Sequence, residues 1–254
     1  MIPFGFRQAR PSDEVRTVFY QDTAAQRARL DRGRAEDRIA VSPDAVYSAP
    51  WLIGLIGDPE YSGQITGFTD PSARASTIRS FDRVRIDMPA PARVGANLQI
   101  FRVDGTIESV GQVVAPTGVL IVTTIGDGFV VGTVTKEFAR IQPGDFVRPV
   151  PTYAPTPGQV AEDVTGGSEA MVMGFAGKQV LSDLGHVAFL DLGSDDGILI
   201  GDEFVLYGDA VPTQRRGSLQ VVGVTPTTAA ARIMSMVDDV FHQGVVVRLS
   251  KKMR

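Results

Sequence analysis

The sequence predicts a mainly β protein: two tandem small β-barrel-like domains from an internal duplication, preceded by an extended N-terminal arm. Ordered matches recur between residues 64–150 and 171–249. Both copies are built of short runs rich in Val, Ile, Phe and Thr, separated by Gly, Pro, Asp and Asn. The residues before them are polar and carry no core-facing apolar stripe.

Residues 1–46 form the arm. They hold eight arginines and little apolar material, too little to cover the entropy of folding alone. Such a segment orders when a partner holds it. Phe4, Phe6, Phe19 and Tyr20 are its candidate anchors, with arginines pairing to acidic groups or lipid phosphates around them.

The first β domain spans 47–150 and opens with YSAPWLIGLIGDP. Trp51, the only tryptophan, reads first as a core or barrel-end plug and second as a partner-facing anchor. Residues 151–170 read as a linker, because prolines 149, 151, 155 and 157 favour extended, semi-rigid backbone. The second β domain spans 171–254. QITGF (64–68) matches MVMGF (171–175), and Asp87, Gly95, Leu98 and Phe101 match Asp191, Gly201, Phe204 and Tyr207. Further on, Gly118, Leu120, Val122 and Val134 match Gly217, Leu219, Val221 and Ile233. One inserted residue later, Gly144, Val147 and Arg148 match Gly244, Val247 and Arg248. Five or six short strands per copy suit a closed barrel, which leaves no adhesive strand edge.

Composition excludes several functions. The 254 residues carry a net charge of −4, without the basic footprint of a nucleic-acid binder. There is no Cys, so thiol catalysis, disulfides and cysteine metal sites are out. No apolar run approaches the roughly 20 residues of a spanning helix. MIPFGFRQARPSDE shows no charged n-region followed by an apolar h-region, so no signal peptide is expected within it.

The stretch DLGSDDGILIGDEFVLY (191–207) concentrates five carboxylates and three glycines. It fails as a calcium loop: counting from Asp191, position 3 is Gly193, position 6 is Asp196, and Glu203 falls at 13 instead of 12. The matching stretch of the first copy, DMPAPARVGANLQIF, keeps the glycine and the strand but loses most carboxylates. Shared shape without shared chemistry indicates a structural turn. GFAGKQ (174–179) lacks the first glycine of a phosphate loop and has Gln179 where Ser or Thr would hold magnesium. His186 and His242 have no ligand-spaced neighbour and read as surface or turn residues. Asp195/Asp196 and Asp238/Asp239 are adjacent in sequence and, on a strand, would face opposite ways. No catalytic residue, metal or cofactor is expected.

Asp196, Gly197, Gly201, Asp202 and Phe204, then Gly217, Leu219, Val221 and Ala231, form a pattern that resembles a bacterial envelope β module. It is similar to the C-terminal domain of flagellar assembly protein T and to the β modules that follow LysM domains in envelope proteins. The likeness covers about the last seventy residues well and 64–150 loosely, departing at Arg93 and Ala96. It implies an extracytoplasmic, periplasmic setting peripheral to a membrane, and a non-enzymatic role. The leading expectation is a docking subunit of a larger, membrane-associated assembly. A peptidoglycan- or glycan-binding module is the alternative, and a hydrolase using Asp191, Asp195 and Asp202 between the barrels is the third reading.

Overall fold

Six antiparallel strands close into a ring in each copy, and the two rings are wound alike. The computed structural model describes residues 40–70, 77–89, 92–177, 183–208 and 214–254, which belong to one compact unit. A short helix, α1 (Pro43–Tyr47), and a three-residue strand, β1 (Trp51–Ile53), lead into the first barrel. Its ring strands are β2 (Gly63–Phe68), β3 (Arg83–Asp87), β4 (Asn97–Ile107), β5 (Gly111–Ile125), β6 (Phe129–Glu137) and β7 (Phe146–Pro149). A two-residue strand, β8 (Glu162–Asp163), precedes the second barrel. That ring consists of β9 (Glu169–Phe175), β10 (Val187–Leu190), β11 (Glu203–Tyr207), β12 (Arg215–Val224), β13 (Ala229–Met236) and β14 (Val246–Lys252).

The cyclic order is β2-β3-β6-β5-β4-β7 in the first ring and β9-β10-β13-β12-β11-β14 in the second, the same path at corresponding strands. Irregularities recur as well. The ladder between β5 and β6 slips at Val119/Leu120 and Val122/Thr124, and that between β12 and β13 at Ser218/Leu219 and Val221/Gly223. Thr66 and Met173 are the extra residues where β2 passes β3 and β9 passes β10. Each precedes a glycine, Gly67 at φ 151° and Gly174 at φ 153°, where a side chain would be strained. The mainly β, duplicated barrel architecture expected from the sequence is therefore present.

Alternation along the strands fills each ring. Ile65, Ile86, Ile100, Leu120 and Val147 point into the first, and Val172, Leu190, Leu206, Leu219 and Val247 into the second. Ile141 and Phe241, from the connections before β7 and β14, each lie on a ring glycine. A Cβ on Gly118 would meet Ile141 Cδ1 at 2.8 Å, and one on Gly217 would meet Phe241 Cε2 at 2.5 Å. This close approach is why glycine stands at both positions.

The copies differ in one hairpin. Phe101 to Gly118 spans seventeen positions, where Tyr207 to Gly217 spans ten. The longer β4–β5 hairpin reaches the second barrel and shares a core with it: Val113, Leu52 and Ile107 pack with Phe189, Val222, Ala230 and Met173. Ile107 Cδ1 sits where a Cβ on Gly174 would be, 2.9 Å away.

Of the expected arm, residues 1–39 lie outside the described residues, and 40–46 are packed. Ser42 caps α1 by accepting from the Ala45 N–H, Pro43 starts it, and Ala45 and Val46 enter the shared core. The Asp44 carboxylate meets Lys136 of β6, while Gln220 of β12 donates to the Ala40 carbonyl. The Pro-rich stretch after β7 also makes contacts. Tyr153 donates to the Val41 carbonyl at 3.0 Å, and β8 pairs with the end of β14.

Gly67 and Gly174 provide a matched pair for measurement. Substitution by Ala at either should cost about 1–3 kcal/mol in backbone strain. Gly174→Ala should cost about 1 kcal/mol more, because its Cβ displaces Ile107 whereas that of Gly67 meets open space. Urea unfolding of both variants checks this, and equal losses would show that the contact between barrels contributes nothing.

Candidate functional site

The acidic stretch folds into a turn in which Asp191, Asp196 and Asp202 accept from backbone N–H groups. Residues Ser194–Asp196 form a single 3-10 turn ended by Gly197 at φ 77°. The Gly193 N–H donates to the Asp196 carboxylate at 2.9 Å, and the Leu199 N–H to that of Asp202 at 2.9 Å. Asp191 accepts from the Met171 N–H at 2.7 Å, and Glu203 pairs with Lys251 at 3.0 Å. Asp202 is fully buried and also receives the Met253 N–H at 2.8 Å and Lys252 Nζ at 2.6 Å. Of the three aspartates in the hydrolase reading, Asp191 and Asp202 therefore serve different strands, and Asp195 is exposed. Among the described residues, no group of three His, Asp or Glu side chains is placed to hold a metal ion.

The same turn device recurs at three other places among the described residues. A side-chain acceptor takes the backbone N–H three residues earlier at Asp82 and Asp145, and at His186. His186 stands where the first copy has Asp82, and its Nδ1 accepts from the Asp183 N–H at 3.0 Å. His242 is exposed, with Nδ1 3.0 Å from the Gln243 carbonyl oxygen. GFAGKQ is described only to Gly177; its last residues lie outside the described ones.

Asp145 is the buried carboxylate of the first barrel. It accepts from Arg102 at 2.9 Å, Thr117 at 3.1 Å and the Gln142 N–H at 3.2 Å. Burial nevertheless dominates and holds its carboxyl above the usual aspartate value, against Arg102, Gln142 and Thr117, which pull it down.

Trp51 is placed by β1, which pairs with β5 through Trp51 and Val114. One neighbour of the indole is the Phe101 ring at 5.3 Å, and the Arg148 guanidinium lies over it at 3.6 Å. Arg148 Nε donates to Gln99 at 2.8 Å, whose amide donates to the Tyr47 carbonyl at 2.7 Å. Burial lowers the Arg148 pKa from its ordinary value, and Glu60 partly restores it. Tyr61 stacks on Phe146 at 4.8 Å, so an aromatic row runs Trp51–Phe101–Phe146–Tyr61. Trp51 is thus half-buried with its ring engaged inside the chain. The other candidate anchors, Phe4, Phe6, Phe19 and Tyr20, lie outside the described residues.

Two apolar clefts flank this region. One of about 400 Å³ is lined by Trp51, Gln99, Arg148, Ile200 and Val224. The other, of about 380 Å³, is lined by Tyr153, Pro155, Leu199, Val224 and Met253.

The sequence reading missed a feature within WLIGLIG. After β1 the chain turns outward, leaving Leu55 50% and Ile56 97% exposed. The turn is held from beneath by Gln112, whose amide lies 3.1–3.4 Å from the carbonyls of Gly54, Leu55 and Gly57. Two adjacent aliphatic side chains are thus presented to water on a tethered loop. The glycines flanking Leu55-Ile56 were the available signal.

No protein-family model matches the chain, and no curated protein matches it.

Asp202→Ala should destabilise the protein by about 3 kcal/mol, since it leaves Lys252, the buried Met253 N–H and the Leu199 N–H without their acceptor. Asp202→Asn should cost less, as its carbonyl still accepts from backbone. Thermal melts of the two variants test the turn, and millimolar calcium should leave the wild-type melt unchanged if backbone alone organises it.

Asp145 supplies a pH test with a defined sign. Its folded-state pKa is raised, so its linked stability is complete in acid, below the unfolded value, and is lost as pH rises through the folded value. Comparing wild type with Asp145→Asn by urea titration from about pH 3 to pH 7 should show the wild-type advantage shrinking as pH increases.

Proposed function

We propose that this chain is a non-catalytic docking subunit of a larger, membrane-associated protein assembly in the extracytoplasmic space. The observation that carries the reading is the Leu55–Ile56 loop. An aliphatic pair held in water by contacts of the Gln112 amide to the carbonyls of Gly54, Leu55 and Gly57 is preorganised for burial against a partner, at low entropic cost. The remaining polar chemistry supports the same view. Of the carboxylates the hydrolase reading needs, Asp191 and Asp202 are engaged as backbone acceptors, and the His186 ring accepts a backbone N–H.

The extracytoplasmic setting rests on the resemblance to envelope β modules. Among the described residues no helix is long and apolar enough to cross a membrane, so association with a membrane would run through a partner or a surface contact. The glycan-binding alternative has less support, because the one tryptophan is engaged by Phe101 and Arg148 instead of lying open as a platform.

The double variant Leu55→Asp/Ile56→Asp should leave the melting temperature within a few degrees of wild type, since both side chains are exposed. It should weaken co-purification with the native assembly by about tenfold or more, measured by quantitative mass spectrometry of tagged-protein eluates. Undiminished recovery of the same partners would remove the loop from the interface.

A further inference from the structure

The duplication allows one barrel to show what the other is missing. In the first barrel, the outward side chains of β4 and β7 include Gln99, Phe101, Phe146 and Arg148, with Gln99 opposite Arg148 in the ladder. The chain's own entry segment roofs them. Trp51 is seated against Phe101 and Arg148, and Tyr61 covers Phe146, leaving Phe101 fully buried.

The second barrel repeats this face on β11 and β14. Val205 stands for Gln99, Tyr207 for Phe101, Val246 for Phe146 and Arg248 for Arg148, and Val205 lies opposite Arg248 in the same register. Here no aromatic ring lies against Tyr207 or Arg248 among the described residues. The face is a groove of about 350 Å³ lined by Glu169, Val205, Tyr207, Val246 and Arg248, with Val205 buried at its base, Tyr207 half-buried and Val246 exposed. Val246 is 50% exposed and adjoins Met171, 43% exposed, across the β9–β14 ladder. Arg248, which has no indole above it, is instead paired with Glu169, where the first copy has Ser62.

We propose that this face of the second barrel is a docking site for an extended segment of a partner protein bearing a tryptophan or similar aromatic side chain. The aromatic ring sits between Tyr207 and Arg248 as Trp51 sits between Phe101 and Arg148. The proposal rests on the docking reading above and specifies partner chemistry for a second surface. Its physical basis is the retained set of side chains. An aromatic ring, an aliphatic neighbour and a guanidinium in one register form a seat for an aromatic group, and the guanidinium–ring attraction strengthens as water leaves. In the first barrel this seat is filled within the chain. In the second, Glu169 holds the guanidinium in position at the rim, ready for a ring to cover it. The second copy also lacks the long hairpin on which β1 is paired, so the occupant must be held mainly by side chains and bind reversibly.

The test uses the full-length protein and a synthetic peptide with the sequence of residues 47–61, the segment that covers the equivalent face. Isotope-labelled protein is titrated with the peptide up to about 1 mM, a range that detects weak docking. The expected result is saturable shifts confined to the Met171 and Val246 methyl groups and the Arg248 side chain. Replacing the peptide's tryptophan by alanine should weaken binding by about fivefold or more, as should Arg248→Ala and Val246→Glu in the protein with melting temperatures unchanged. Absence of saturable shifts, shifts centred elsewhere, or binding indifferent to the tryptophan would overturn the proposal. So would self-association of the chain that Val246→Glu abolishes, which would make a second copy the occupant. If the Leu55→Asp/Ile56→Asp variant loses its assembly while the peptide fails to bind, the docking reading stands and this one falls.

Discussion

The meeting of Ile107 with Gly174 is the contact on which the arrangement of the two barrels depends. Each ring buries its own interior and needs no neighbour for that. What joins them is the end of the β4–β5 hairpin, which carries Ile107 onto the outer face of β9 and β10. The helix α1 and β1 then fill the remaining space, adding Ala45, Val46, Ala49 and Leu52 to a shared core with Phe189 and Val222. Polar ties reinforce it from both sides, with Gln99 reaching the Tyr47 carbonyl from the first barrel and Gln220 reaching Ala40 from the second. A glycine at 174 is required twice over, by the bulge that turns the strand and by the side chain lying across it.

Four aspartates of this protein serve the backbone of its tight turns. Tight connections between short strands leave N–H groups unpaired near the barrel ends, and an unpaired buried N–H is expensive. Asp82, Asp145, Asp196 and Asp202 each answer that need by accepting from a residue three positions earlier. In the cluster that looks chemically active in sequence, Asp196 and Asp202 are fixed to their own turns, while Asp191 serves β9. His186 performs the same task with a ring nitrogen at the position of Asp82, which accounts for its presence without invoking a base or a ligand.

The parts legible in the sequence were those governed by local periodicity. Leu120/Leu219, Val122/Val221 and Val147/Val247 recur because the same alternate positions face the interior of both rings. The glycine pairs recur because the bulges and the Ile141/Phe241 approaches recur. The seventeen-against-ten hairpin was visible as a length difference, but nothing local says where a longer hairpin goes; that depends on the second barrel being there to receive it. Leu55 and Ile56 were misleading for a similar reason. In sequence they close the apolar stretch Trp51 to Ile56, whereas the chain leaves the sheet at Gly54 and Gln112 holds the turn outward. Ser42-Pro43-Asp44 carried a helix start that the polar arm preceding it obscured.

Divergence between the copies lies on their surfaces and follows from their order in the chain. The first barrel is preceded by a segment that crosses its β4–β7 face, so Phe101 became fully buried and Arg148 became sandwiched against an indole. The second barrel is preceded by a Pro-rich stretch that takes another route, packing Tyr153 near Val41 and pairing β8 with the far end of β14. Among the described residues no aromatic segment crosses its β11–β14 face, yet Tyr207 and Arg248 keep the aromatic and guanidinium character of Phe101 and Arg148, and Val205 lies opposite Arg248 as Gln99 lies opposite Arg148. A surface whose only requirement was solubility would tolerate polar side chains at all of these positions, since outward strand residues contribute little to ring closure. Glu169 beside Arg248 is the one charged addition, and it lies at the rim of the groove, with Val246 exposed and Tyr207 half-buried. An apolar floor with a charged rim is the usual construction of a binding surface, and here the neighbouring barrel shows the same floor already occupied.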